Sequence, residues 1–412
     1  MITRAEALLK YFTDGTADSD REILQSVFVK TTFFKTLLDF SPTAPTLLIG
    51  AKGTGKSAVY DFLHSSFISS GVRCLYIRPE DISIDWGTEQ SSGYLIHKAK
   101  DCLARTIAAQ IGTHLPSGLS SEHENILREL AKSSYDCPPD IVQRLVYGLN
   151  TLATSVAHID FSDFLQKADP NCNTIINAIE KAVQGDKFFL FIDDTDRITT
   201  PDLDGLNRIW AFILATRALM RDIPSLRIAI SLRSEIWNRL REDCKGQQDQ
   251  IDHFRDHVIH ISVSHEEIEK IVELRFILAA RKLSYDNYIS AFFEKEYCLV
   301  DGKNMRRPWL EFIARRSRLR PRDAIQMIHR WAILLRDNDN SHIDDNIVQA
   351  SMIPYSSERI DDLLRENQQE CPSLKAIIDR FACSPGNIRR VQVLLVKNEK
   401  EHAWAINSRN IH

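Results

Sequence analysis

Gly50-Ala51-Lys52-Gly53-Thr54-Gly55-Lys56-Ser57 decides how the rest of this 412-residue sequence is read. It fits G-x-x-x-x-G-K-[ST] at every fixed position. Glycines let the backbone curl until several N–H groups point at one spot. A helix starting at Lys56 adds its unpaired amides and the positive end of its dipole. Such a loop takes phosphate, so Gly50, Lys52, Gly53, Thr54, Gly55, Lys56 and Ser57 are the expected contacts of a nucleotide. Lys56 is expected to reach the β and γ phosphates, and the Ser57 hydroxyl to bind Mg²⁺. The flanks agree. Thr46-Leu47-Leu48-Ile49 is a short apolar run after the breaker Ser41-Pro42-Thr43-Ala44-Pro45, the pattern of a buried parallel strand. Lys56 to Phe67 reads as a helix.

Outward from the loop, strand and helix patterns alternate. Further strands are read over Val72–Ile77, Lys187–Ile192, Leu226–Ile230 and His257–Val263, with a helix over Leu203–Met220. This predicts an α/β sheet with helices on both faces. Phe188-Phe189-Leu190-Phe191-Ile192 runs straight into Asp193-Asp194, delivering carboxylates to the sheet's C-terminal edge, where ligands bind in open α/β sheets. Asp193 is expected to hold Mg²⁺ through its water shell, and Asp194 to polarise the attacking water. The end of the 226–230 strand is expected beside Asp193. Ser231 there either orients water or caps the helix that follows. Arg255, just before the last strand, is the expected finger into a neighbour's site in an oligomer, with Arg239 and Arg241 as alternatives.

From about residue 264 the pattern becomes helical. The expected division is N-terminal helices over 1–40 and a phosphate-loop core over 41–263 with a helical insertion at about 94–183. A helical lid over 264–350 and a small module over 351–412, winged-helix in style, complete it. The lid carries Arg315-Arg316-Ser317-Arg318-Leu319-Arg320-Pro321-Arg322-Asp323, five arginines in eight positions. Arg320 and Arg322 are the expected nucleotide contacts from this run. The remainder can read a phosphate backbone or a protein partner.

Composition sets the outer limits. Lys+Arg number 52 against Asp+Glu 56, a formal net charge of -4, which argues against a polybasic protein but not against a local basic site. Trp210 to Ala215 is among the longest apolar runs and falls far short of the ~20 residues that cross a bilayer. The N-terminus lacks a signal-peptide core. The 8 cysteines are scattered and never form CxxC, so reduced thiols and a cytoplasmic location are expected.

The loop Gly-Ala-Lys-Gly-Thr-Gly-Lys-Ser, the strand end Ile-Asp-Asp-Thr-Asp-Arg and the lid stretch Leu319-Arg320-Pro321-Arg322-Asp323 together resemble bacterial P-loop ATPases related to the KAP and STAND NTPases. The resemblance implies an AAA+-like core with a helical lid, ATP with Mg²⁺, and a regulatory role in a multi-protein anti-phage defence system, with a protein effector as partner. It implies Walker A roles for Lys56 and Ser57, Walker B roles for Asp193 and Asp194, and lid roles for Arg320 and Arg322. Asp194 stands where many AAA+ proteins carry Glu, which implies slow or partner-stimulated hydrolysis. Two alternatives stand beside the switch ATPase: a nucleic-acid-binding, origin-recognition-like ATPase, and a scaffold that holds ATP without hydrolysing it.

Overall fold

The computed structural model describes residues 2–82, 84–87, 91–115, 121–133, 171–183, 185–199, 202–243, 252–300, 305–367, 371–382, 393–398 and 401–406. Strands β1 (Thr46–Ile49), β2 (Cys74–Ile77), β3 (Phe188–Ile192), β4 (Leu226–Leu232) and β5 (Val258–His260) form one sheet. The order is β2-β3-β4-β1-β5, and every pairing is parallel. Parallel neighbours need crossovers, and the helices between strands supply them. β1 is buried along its whole length. Its two partners, β4 and β5, fix where the phosphate loop emerges.

Alternation along the strands divides the core in two. Leu47, Ile49, Ile77, Leu190, Ile192, Ile228 and Ile230 face one layer with helices Ser92–His114, Cys172–Ala182 and Leu203–Asp222. Leu48, Phe191 and Ala229 face the other, which is continuous with Phe12, Tyr60, Phe276 and Trp331. The sheet therefore has helices on both faces and helical segments after it, as the strand–helix alternation implies.

The helical segments run His265–Lys282, Trp309–Arg316, Pro321–Asp337 and Asp345–Glu366. Ser264 opens the first with a capping box to Glu267. Within the region read as helical from about residue 264, Tyr288–Phe292 is a short helix. A hairpin follows, Tyr297–Val300 against Met305–Pro308, because a β-favouring Tyr-Cys-Leu-Val run leads into Asp301-Gly302, a turn signal. The division expected between 350 and 351 falls inside the helix Asp345–Glu366. Val393–Asn398 and Glu401–Ile406 pair as an antiparallel hairpin. Much of the insertion expected at 94–183, residues 134–170, lies outside the described residues. The N-terminal stretch is a capped helix, Arg4–Tyr11, followed by single helical turns at Ala17–Asp20, Leu24–Val27 and Phe34–Leu37. No helix among the described residues is long and apolar enough to cross a membrane.

Candidate nucleotide site

The loop between β1 and the helix Lys56–Ser69 has the backbone its glycines allow. Gly53 has φ 83° and Gly55 φ 99°, a left-handed region that side chains with a Cβ rarely enter. Gly55 is the helix N-cap and offers no side chain to the first amides, which leaves them for a ligand. Thr54 turns its hydroxyl back onto the Ala51 carbonyl at 2.8 Å. Lys56 is buried, and its Nζ donates to the carbonyls of Gly50 at 2.7 Å and Ala51 at 3.2 Å. Burial lowers its pKa, while Asp196, Asp193 and Asp194 pull it back up.

Sheet order brings the acids to this loop. Ile192 pairs with Ile230, so the next residues, Asp193 and Ser231, come together as expected from the sequence. Ser231 Oγ donates to Asp193 Oδ1 at 2.5 Å and accepts from the Asp194 N–H at 2.9 Å. Ser231 lies within β4, and the following helix starts at Ser234, so it is not a helix cap. Its single proton goes to Asp193, and it acts as a positioning residue. Asp194 has φ 45°, a strained conformation for a residue with a Cβ. Its carboxylate lies 3.5 Å from Arg197.

Asp193 and Asp194 are joined by Asp196, which is buried and paired with Arg233 at 3.0 Å. Asp196 Oδ1 has no hydrogen-bond partner, and burial raises its pKa before Arg233 and Lys56 counter it. It is also the acid that bears most strongly on Lys56.

Beside these groups opens a cleft of about 330 Å³, which Asp193 and Asp196 do not line. Lys52, Gly53, Thr54, Gly55, Lys56 and Ser57 line its floor, Asp194, Arg197 and Arg233 one side. On the opposite wall Arg322 was expected from the sequence, but the N-terminal segment and Arg275 were not. That wall comes from the N-terminal segment, with Thr16, Ala17, Val27 and Phe28, and from the C-terminal helices, with Ile271, Arg275, Arg322 and Ile325. Arg275 binds that wall together: its guanidinium donates to the Tyr11 carbonyl and forms a buried pair with Asp20 at 2.5 Å. The only sequence signal for this is a lone arginine on the apolar face of the 265–282 helix.

The lid arginines divide. Arg322 N–H donates to the Gly53 carbonyl at 3.3 Å, and its Nε donates to Gly15 O at 3.2 Å. The start of the 321–337 helix thus rests on the phosphate loop. Arg320 passes the loop with its Cβ but sends its guanidinium away, bidentate to Glu366 at 2.9 Å on both arms. Arg318 and Arg359 grip the buried Asp323, each at 2.7 Å. Arg315 pairs with Glu311 at 2.8 Å. Arg255 is exposed in the turn Asp252–His257 and is not among the cleft residues.

The residues fit a Mg²⁺–nucleotide. Left-handed glycines, an uncapped helix start, a buried ammonium, the Ser57 hydroxyl and the Asp193 carboxylate provide the donor set that phosphate and a hard, hydrated cation need. The apolar side of the wall, Val27, Phe28, Ile271 and Ile325, suits the face of a base.

Comparison with known proteins gives distant likenesses. A sequence profile for the FunZ-associated C-terminal helical domain matches residues 266–364. The chain is 24% identical over 391 residues to the transposon gamma-delta 80.3 kDa protein of Escherichia coli (strain K12), covering 90% of this chain and 53% of that protein. The chain therefore spans about half the length of that curated relative. Among solved structures, the Aeropyrum pernix ORC2 protein aligns with TM-score 0.38 at 10% identity, over 81% of this chain and 66% of that one. The Aeropyrum pernix ORC1 protein in complex with DNA aligns with TM-score 0.37 at 13% identity, over 93% and 78%. The Thermotoga maritima RuvB Holliday junction branch migration motor aligns with TM-score 0.33 at 12% identity, over 83% and 72%. What the molecule itself displays is a P-loop NTPase architecture with a helical domain docked on its phosphate loop.

Proposed function

We propose that this chain is a Mg²⁺-dependent ATPase whose nucleotide state is read by its C-terminal helical domain. One observation carries this reading: the phosphate loop, Asp194 and Arg322 line a single cleft, with the buried Asp193 directly behind Asp194. Lys56 and the loop amides bind the phosphates, Ser57 and Asp193 hold Mg²⁺, and Asp194 orients the attacking water. The metal, when bound, neutralises charge that builds on the transferred phosphoryl oxygens. Asp194 is one methylene shorter than a glutamate, so turnover is slow and rises when a partner closes the site. Arg322 reports the nucleotide to the 321–337 helix because its N–H already rests on Gly53. In a homo-oligomer the exposed Arg255 reaches a neighbour's site. The test is ATP turnover and nucleotide binding in wild type and Lys56→Ala. Turnover that is the same in both refutes the assignment.

Nucleic acid is the partner class we favour. The stretch from the second hairpin strand through the helix after it, 305–316, carries Arg306, Arg307, Arg315 and Arg316 against one acid, Glu311, which Arg307 approaches at 3.4 Å and Arg315 at 2.8 Å. That is a local excess of positive charge on a chain of net negative charge. The relative named for a transposon points the same way. Duplex affinity that falls steeply with salt is expected, and no binding at low salt with ATP removes this partner. The role as a switch in a defence system beside a protein effector rests on the motif resemblance alone. The scaffold reading instead requires stoichiometric bound nucleotide without phosphate release.

A further inference from the structure

Both oxygens of the Asp193 carboxylate are held by hydroxyls, one from each neighbouring strand. Ser231 on β4 donates to Oδ1, and Tyr76 on β2 donates to Oδ2 at 2.9 Å. The clamp follows from the order β2-β3-β4, because Tyr76 and Ser231 flank the end of β3 in the parallel register. Both donors are neutral, so they orient the carboxylate without cancelling its charge. Each oxygen keeps a further lone pair for a hydrated cation.

Tyr76 is itself held. The Arg78 guanidinium lies over its ring, 5.3 Å from the centroid, and His64 stands 5.9 Å away on the helix after the phosphate loop. Arg78 in turn is bidentate to Asp18, at 2.9 and 3.3 Å. Asp18 belongs to the same N-terminal turn whose neighbours Thr16, Ala17 and Asp20 line the cleft. A continuous series of contacts therefore joins the wall of the nucleotide cleft to the metal-binding carboxylate: Asp18, Arg78, Tyr76, Asp193.

We propose that Tyr76 is a positioning residue for the Mg²⁺ carboxylate, and that the Asp18–Arg78 pair sets its orientation from the N-terminal wall. The proposal rests on the assignment of Asp193 to Mg²⁺ made above. Groups that orient a metal ligand commonly change metal affinity tenfold or more when removed. Loss of the Tyr76 hydroxyl should therefore weaken the metal contribution to binding while leaving the metal-independent phosphate contacts alone.

The experiment measures the affinity of the whole chain for a fluorescent ATP analogue with Mg²⁺ and with EDTA, and takes the ratio. Asp193→Asn gauges the assignment itself and should abolish the Mg²⁺ enhancement. Tyr76→Phe should reduce the enhancement about tenfold, with EDTA affinity matching wild type. Asp18→Asn, an exposed change that removes the nearer of the two acids beside Arg78 and leaves Asp61 at 4.0 Å, should reduce it in the same direction by about threefold and serves if Tyr76→Phe fails to fold. If Asp193→Asn retains the enhancement, the Mg²⁺ assignment fails and the proposal with it. If Asp193→Asn loses it while Tyr76→Phe and Asp18→Asn behave as wild type, the assignment stands and the positioning role is overturned.

Discussion

Two regions of this molecule are rich in charge, and they use it in opposite ways. At the sheet edge, Lys56, Asp194, Arg197 and Arg233 border one cleft. In the C-terminal helices the charges mostly satisfy one another: Arg318 and Arg359 close on Asp323, Arg320 on Glu366, and Arg330 on Glu358 at 2.6 Å. The first region is arranged for a ligand and the second for holding helices 321–337 and 345–366 together. Among the described residues, only Arg322 and Arg275 of the second region's arginines line the cleft of the first. A run of arginines is thus a poor guide to a binding surface until their partners are known.

That contrast can be broken most sharply at Asp323. Its carboxylate is buried between two guanidinium groups and lies one residue past Arg322. Asp323→Ala leaves Arg318 and Arg359 facing each other with no acid between them. Removing one member of a buried ionic cluster costs about 3–5 kcal/mol, and chemical denaturation should show a loss of that size. A loss below about 1 kcal/mol would mean that the helical region does not depend on its internal pairing.

The complementary change at the sheet edge is Lys56→Ala. It should reduce ATP turnover about a hundredfold or more, the scale for removing a group that meets developing phosphate charge. Stability should change little, since burial already disfavours the charged ammonium. A large fall in stability with turnover per folded molecule intact would invert the comparison.

The sheet edge was readable from sequence because its chemistry is local. Eight consecutive residues fix the phosphate loop, and one strand running into Asp193-Asp194 fixes the acids. Parallel pairing then placed Ser231 beside Asp193 as expected. What sequence missed is held by contacts across long separations. Arg275 and Asp20 are 255 positions apart, and Tyr76 and Asp193 117. Arg320 and Arg322 look equivalent in Arg-Pro-Arg, yet Pro321 starts a helix between them. Arg320 therefore stays extended at the N-cap while Arg322 enters the first turn. No local pattern announces that Glu366, 46 residues later, takes the first of them.

A milder effect belongs to Asp61, on the helix that follows the phosphate loop. Burial raises its carboxyl from the ordinary 3.8 to about 6, with Arg78, 4.0 Å away, pulling it down. Its Oδ2 has no hydrogen-bond partner. The folded chain therefore holds this proton more tightly than the unfolded one. The resulting stabilisation is complete below about 4 and is lost as the pH rises through about 6. Asp61→Asn imitates the protonated group at every pH. It should stabilise the fold by about 2 kcal/mol at pH 8 and by almost nothing at pH 4, read from denaturation midpoints at the two values. A destabilisation at pH 8 would show that the Arg78 contact outweighs burial.

The smallest effect is the most discriminating, because it separates two arginines that sequence treats alike. Arg320→Gln removes both hydrogen bonds to Glu366 and leaves that acid half-sheltered, a loss of about 1–2 kcal/mol for a bidentate pair with little exposure. Because the Arg320 guanidinium points away from the cleft, KM for ATP should remain within about twofold of wild type. Arg322→Gln removes a side chain that lines the cleft and donates to Gly15, and should raise KM about tenfold with a smaller change in stability. If Arg320→Gln instead raises KM as strongly as Arg322→Gln, its guanidinium must leave Glu366 when nucleotide binds. The 345–366 helix would then be released at each binding event, and the region arranged to hold the fold would carry the nucleotide signal.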